Sequence, residues 1–311
     1  MTNQPSDRLH DVVVIGGGTA GISCALECFD IKLDTVLLEA RPVVGGQLDE
    51  IHHTIRNVAT GSFEDGPALQ AAMERTAALL GDRLLVGCHV NRADFDAGWV
   101  EARGQRLRAR TFLIATGSKP ESLPAAPDGA FEGDVTYGIE SQRDQFAGRD
   151  VVVVGGGDSA TLDALELAAT ASSVKLVHRA DHLTARHDIA QRLHQDTRIE
   201  DYPGWEVEST AGNERLKEVV LVHRATGERR RVPAGGLVVK ISRDPATAMF
   251  RSQLTLDRRG AIEVDASLQS SRPGVFAAGD VVAGSYWRVA AALGQGSLAA
   301  RSILRHLEGK A

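Results

Sequence analysis

Apolar residues in this chain fall into two kinds of run. VVVI at 12–15, TVLL at 35–38, TFLI at 111–114, VVVV at 151–154, VKLV at 174–177 and GLVVKI at 236–241 are continuous, β-branched and free of alternation. Short runs of this type suit strands buried on both faces, as in a parallel sheet. They predict strands at 11–15 and 34–38, and another over TFLIATG (111–117). Between them the spacing changes to that of helices. TAGISCALECFD predicts a helix over 20–30, Leu69, Met73, Ala77 and Leu80 line one face of a second at 67–80, and a third runs over 288–307. Shorter strand-like pieces lie at 84–90, 98–102, 106–109, 205–209, 216–222 and 228–232. KPESLPAAPDGAFEGD (119–134), rich in proline, glycine and acid, reads as a linker.

Two of the apolar strands run into the same turn. DVVVIGGGTAG (11–21) and VVVVGGGDSA (151–160) are each a strand, a glycine turn and a helix start. In each, the first glycine lies 23 positions before the end of the next strand, from Gly16 to Glu39 and from Gly155 to His178. One glycine fingerprint is a weak signal; two in the same setting are a strong one. The glycines allow a tight turn, close approach of backbone to a pyrophosphate, and close helix–strand packing. The residues ending the second strands differ in charge. Glu39 can accept from ribose hydroxyls, as FAD or NAD offers; His178 and Arg179 suit the extra 2′-phosphate of NADP. The fold class expected is α/β, with two Rossmann-like, doubly wound, three-layer dinucleotide-binding domains.

Composition narrows the setting. The 311 residues are 43% hydrophobic and 24% charged with net charge −6, so neither nucleic acid nor an acidic membrane surface is an expected partner. No apolar run is long enough to span a bilayer, and the first residues lack a leader pattern, which predicts a cytoplasmic protein. The three cysteines make neither a disulfide scaffold nor a metal site; Cys24 and Cys28, one turn apart on the first helix, and Cys88 read as packing residues. No metal is expected.

GGGTAG, ATG (115–117), GGGDSA, HR (178–179) and FAAGD (276–280), in that order, with GGQL (45–48), resemble the low-molecular-weight thioredoxin reductase family, which includes thioredoxin-reductase-like ferredoxin–NADP reductases. The likeness covers nearly the whole chain. It implies an FAD-binding domain split over 1–118 and 245–311, an inserted NAD(P)-binding domain over 119–244, and a homodimer. It also assigns residues. Gly16, Gly18, Gly21 and Glu39 would hold the adenosine side of FAD, while Gly46, Gln47, Asn57, Val90, Gly117, Asp280, Arg288 and Val289 would line the rest of it. Gly155, Gly157, Asp158, Ser159, His178, Arg179 and Arg186 would bind NADP or NAD. No side chain is singled out as catalytic, because the chemistry would belong to the flavin.

The chain departs from the family in three places. Dithiol members carry Cys-x-x-Cys just before the second fingerprint, where this chain has Gly138 and Ser141. FAGRD (146–150) resembles the ferredoxin-reductase branch instead. The phosphate-reading His-Arg-Arg pattern is reduced to HRADHLTAR (178–186), with Ala180 in place of an arginine, and Ser242 stands where the family prefers glycine. The expected function is hydride transfer from NAD(P)H to FAD, then electron delivery to an external acceptor, either a ferredoxin- or flavodoxin-type protein or a small oxidant. A flavoprotein with a non-nicotinamide donor, or a regulatory one without turnover, is the alternative. His52 and His53 invite an acid–base role, but neighbours in an extended segment point opposite ways. RATGERRRV (224–232) reads as a solvated hairpin, or as a docking patch for an acidic electron-transfer protein.

Overall fold

The computed structural model describes residues 8–59, 61–127, 129, 131–139 and 142–310; Ser141, one of the two residues in the dithiol position, lies outside them. Val12, Val13 and Val14 are wholly buried in strand β1 (Leu9–Ile15), as their unbroken apolar run requires. Each such side chain contributes about 1.5–3 kcal/mol relative to an exposed one. The chain continues through α1 (Thr19–Asp30), β2 (Thr35–Leu38), the hairpin β3 (Ile55–Val58) and β4 (Gly61–Phe63), and α2 (Gly66–Ala77). Strands β5 (Leu84–Leu85), β6 (Val90–Asp94), β7 (Trp99–Ala102), β8 (Gln105–Ile114) and β9 (Ser118–Pro120) follow.

The second stretch holds β10 (Val135–Thr136), β11 (Asp150–Val154), α3 (Asp158–Leu167), β12 (Ser173–His178), α4 (His187–Gln195) and β13 (Ile199–Pro203). Then come β14 (Trp205–Gly212), β15 (Leu216–His223), β16 (Arg229–Pro233) and β17 (Gly236–Val239). The chain ends with β18 (Arg243–Pro245), β19 (Val275–Ala277) and α5 (Val289–Leu307).

These elements form two compact units, one of Met1–Lys119 with Asp244–Ala311, the other of Pro120–Arg243. In the first, the sheet order is β5-β2-β1-β8-β7-β6, with β19 also on β8. β1 runs parallel to both β2 and β8. The glycine turn after β1 therefore lies where successive connections go to opposite sides, the place where open α/β sheets leave a crevice. The second unit repeats the device: its sheet is β10-β17-β11-β12-β13, and β11 is flanked in parallel by β12 and β17. A separate antiparallel meander, β14-β15-β16, completes it.

Two expectations about elements change. The strands expected at 106–109 and 111–117 are one ten-residue strand, β8, ending at Ile114. Its first half pairs antiparallel with β7 and its second half pairs parallel with β19, while β1 pairs along it as well, so the partners and the pattern change midway. The linker-like 119–134 also ends in a structural residue. Asp134 is fully buried, and its carboxylate accepts from Arg215 Nε (2.7 Å), Arg149 Nη1 (2.8 Å) and the Leu216 amide (3.0 Å).

Candidate functional site

In the first unit the site grows from the turn after β1. Gly16 has φ +109°, and a Cβ there would lie 2.3 Å from the Ala115 carbonyl oxygen, so only glycine fits. Gly18 precedes α1 as its N-cap and offers no side chain, and no side chain caps that helix. The first amides of α1 are therefore open to an anionic ligand. Gly21 packs so tightly that a Cβ would stand 1.9 Å from the Gly16 carbonyl oxygen. Gly46 lies across from this turn; its Cβ would stand 3.1 Å from Gly18 Cα. Glu39 is 6% exposed, and its carboxylate accepts from the Gly17 amide (2.6 Å) and the Arg41 amide (2.7 Å). Those bonds fix an acid against the glycine turn.

A second cluster forms from distant parts of the same unit. Gln47 Nε2 donates to Ser118 Oγ (3.0 Å), to the Ser118 carbonyl (3.2 Å) and to Asp280 Oδ2 (3.4 Å). Gly117, at φ +67°, would place a Cβ 3.4 Å from Gln47 Nε2. The Asp280 turn is tied to α5, because the Gly279 amide donates to Gln295 Oε1 (2.7 Å). Arg288 is the N-cap of α5 and Val289 its first residue, again with no side-chain cap and no acid in the first turn. Asp280 also lines a cleft of about 330 Å³ with Asp257, Arg259, Tyr286 and Trp287. There Arg259 lies 5.2 Å from the Trp287 ring centroid, and Tyr286 is 86% exposed. Asn57 sits exposed on β3, and Val90 is buried among Val13, Ile15 and Ile114.

The second unit repeats the turn with different chemistry. Gly155 has φ +138°, and a Cβ would meet the Lys240 carbonyl oxygen at 2.2 Å. Gly157 is the uncapped N-cap of α3, followed by Asp158 and Ser159 in its first turn. His178 ends β12, 3% exposed, and its Nε2 lies 2.9 Å from Asp201 Oδ1. Arg179 is exposed and makes no ion pair among the described residues. Arg186 is held back: its guanidinium lies 3.4 Å from Asp158 and 3.9 Å from Asp188, and its amide donates to Asp158 Oδ1 (2.7 Å). Of the cations expected to read a phosphate, Arg179 alone is uncommitted.

Other sequence expectations find their places. Cys24 and Cys28 are wholly buried with sulfurs 3.9 Å apart, and Cys88 is 2% exposed. The hydrogen bond with Cys28, and then burial, push the Cys24 thiol well above its ordinary range; burial also raises Cys88. His52 and His53 are both exposed. In the basic run, Arg229, Arg230 and Arg231 pair with Glu208, Glu228 and Glu218, which favours the solvated hairpin over a docking patch. Among the described residues no group of three or more His, Cys, Asp or Glu could hold a metal, and no helix is long and apolar enough to cross a membrane.

Sequence reasoning missed Ser118, Gln295, Trp287 and Asp201. Ser118 follows ATG directly and was within reach. The others join the site through tertiary pairing, which no local spacing encodes.

The sequence profile of the pyridine nucleotide-disulphide oxidoreductase family matches residues 10–296. The thioredoxin reductase of Listeria innocua is 31% identical over 316 residues, spanning 97% of this chain and 95% of its own. A 34.2 kDa protein in the rubredoxin operon of Clostridium pasteurianum is 29% identical, spanning 98% and 99%. Among solved structures, thioredoxin reductase from Lactococcus lactis superposes with a TM-score of 0.87 at 28% identity, covering 96% of this chain and 99% of that one. Thioredoxin reductase from T. acidophilum gives 0.85 at 25% identity, covering 98% and 100%.

Proposed function

The chain belongs to the pyridine nucleotide-disulphide oxidoreductase family, as a thioredoxin-reductase-like enzyme using FAD and NADP or NAD, and on that premise we propose that it delivers electrons to an external acceptor without a thiol pair of its own. The observation that carries this reading is the state of the thiols. Cys24, Cys28 and Cys88 are 0%, 0% and 2% exposed, and no cysteine follows Cys88 in the sequence. Disulfide exchange needs an accessible thiolate, and burial disfavours both access and ionisation.

The residues fit the two dinucleotides. The turn at Gly16, Gly18 and Gly21, with the open amides of α1, would take the FAD pyrophosphate, and Glu39 the adenosine ribose. Gln47, Ser118 and Asp280 form a preassembled polar patch for the hydroxylated chain of FAD. The uncapped N-terminus of α5 at Arg288 and Val289 carries the positive end of the helix dipole and would stabilise negative charge on a reduced ring. Gly155, Gly157, Asp158 and Ser159 would receive the nicotinamide dinucleotide, with Arg179 as the cation for a 2′-phosphate. When bound, FAD supplies the carrier that accepts hydride from reduced nicotinamide and releases electrons onward. The protein positions and polarises; no side chain forms a covalent bond. A homodimer in the cytoplasm, with a small electron-transfer protein or small oxidant as acceptor, completes the reading.

Anaerobic mixing with NADH and with NADPH tests it. Rapid bleaching of the flavin absorbance, followed by reoxidation with an artificial acceptor but not with thioredoxin, is the expected result. An oxidised flavin with both donors would refute the oxidoreductase reading, and brisk thioredoxin reduction would refute the absence of thiol chemistry.

A further inference from the structure

The two glycine turns present different groups to the ribose. At the first, the Glu39 carboxylate is wedged against Gly17, and a Cβ on that glycine would lie 2.9 Å from Glu39 Oε2. At the second, His178 takes the same place: a Cβ on Gly156 would lie 3.1 Å from His178 Cβ, 3.3 Å from Cγ and 3.6 Å from Nδ1. The imidazole side chain is 2% exposed, and Nδ1 is buried without a hydrogen-bond partner. A buried polar atom left unsatisfied costs about 1–3 kcal/mol, so the position calls for a partner.

Asp201 decides what that partner can be. A carboxylate only accepts, so the proton of a neutral His178 sits on Nε2, toward Asp201 Oδ1 at 2.9 Å. Nδ1 is then a bare lone pair, an acceptor as Glu39 is. A second proton would go to Nδ1 and turn the same atom into a cationic donor, with its charge balanced by Asp201.

We propose that Asp201, acting through His178, sets which ribose the second dinucleotide site accepts: a free 2′-hydroxyl while Nδ1 is bare, and a 2′-phosphate once Nδ1 carries a proton. The inference rests on the second unit being the nicotinamide site. Asp201 is a positioning residue, since its contact is with His178. A 2′-hydroxyl donates to the lone pair with no change in protonation. A dianionic 2′-phosphate, the form above its second pKa of about 6, offers only lone pairs to the neutral ring, so it binds with uptake of one proton from solvent at Nδ1.

Other charged groups stand around this pair. Asp201 Oδ2 faces His194 Nε2 of α4 at 3.5 Å, and Glu200 of β13 reaches Lys175 of β12 at 4.0 Å. Arg179 and Asp181 follow β12, and Asp158 pairs with Arg186 at the start of α3. β11 brings only apolar residues and glycine to this end, while Lys240, just after β17, pairs with Asp163 of α3 at 3.4 Å. His182 after β12, His187 at the start of α4 and His223 of β15 are the other imidazoles of this region, but His194 is the one paired with Asp201.

Calorimetric titration of the FAD-loaded protein with NAD⁺ and NADP⁺ between about pH 6 and 8, within the range in which imidazoles change charge, tests the proposal without turnover. The ratio of NADP⁺ to NAD⁺ affinity is expected to rise at least about tenfold from the alkaline to the acid end, with proton uptake on binding NADP⁺ alone. In Asp201→Asn the amide can donate to Nε2 and leave the proton on Nδ1. NAD⁺ affinity should then fall and the pH dependence flatten, while His194→Gln keeps the wild-type profile. A wild-type ratio that does not change with pH, or a profile lost in His194→Gln but kept in Asp201→Asn, would overturn the proposal. If neither dinucleotide binds, the nicotinamide assignment of the second unit fails first, and this inference with it.

Discussion

Asp134 is the residue whose surroundings contradict its sequence context most. Burial alone would push its carboxyl up, but hydrogen bonds from Arg215, the Leu216 amide and Arg149 outweigh it and hold the carboxyl below the usual carboxylate range. A depressed carboxyl contributes stability that is complete above the unfolded value of about 3.9 and drains away as pH falls through the folded one. Asp134→Asn should cost about 1–3 kcal/mol in urea unfolding at neutral pH, a figure kept modest because both arginines reach solvent. The gap between wild type and variant should narrow as pH falls below the unfolded value and close once it passes the lowered folded one; a gap independent of pH would show that packing, not charge, is lost. Such a role is illegible in KPESLPAAPDGAFEGD, because the partners come from 149 and 215–216 in another part of the chain. Glu39 was legible for the opposite reason, since its partner Gly17 belongs to the same strand–turn–helix–strand unit.

Helix α5 crosses α1 at closest approach where small residues meet. A Cβ on Gly296 would stand 2.2 Å from the Ala20 carbonyl oxygen and 2.8 Å from Ser23 Cβ, and Ser23 Oγ donates to the Leu293 carbonyl at 2.7 Å. Gly296→Ala should therefore force the helices apart, cost about 1–3 kcal/mol in thermal unfolding, and weaken FAD retention measured by flavin release. Gly294, on the same helix but exposed with nothing within 4 Å, is the matched control. Gly294→Ala should gain about 0.5–1 kcal/mol from helix propensity. Equal effects at both positions would count against the crossing. Elements with strong periodicity, such as α1 and α5, stood close to their expected bounds. α4 did not show itself: Ile189 and Leu193 are its only buried residues, too few to mark a face. β13 was hidden likewise, as a short edge strand of polar residues.

At the scale of the molecule, both sheets place a glycine turn at the end of a central parallel strand, and this duplication was the most legible feature of the sequence. FAD should therefore co-purify, and Asp280→Ala should loosen it by about 1–3 kcal/mol, read as a raised dissociation constant. Replacing all three cysteines by alanine should leave NAD(P)H-driven reduction of an artificial acceptor within about twofold of wild type, provided the unfolding midpoint confirms a folded protein. Loss of that activity in the folded triple variant would return a chemical role to a buried thiol. The cleft beside Asp280 was the least legible part, because Arg259 and Trp287 are far apart in sequence and meet only through the fold.

The placing of the indoles has a practical consequence. The chain has three tryptophans: Trp99 and Trp287 belong to the first unit, and Trp205 alone to the second. Trp205 is 7% exposed, with the His223 ring centroid at 5.1 Å and Arg230 at 4.8 Å. Its ultraviolet emission is therefore a built-in reporter for one half of the molecule. In a variant with Trp99→Phe and Trp287→Phe, fluorescence would follow the second unit melting while flavin absorbance follows the first. Two optical signals from one cuvette would then tell whether the halves unfold as one cooperative body or in succession.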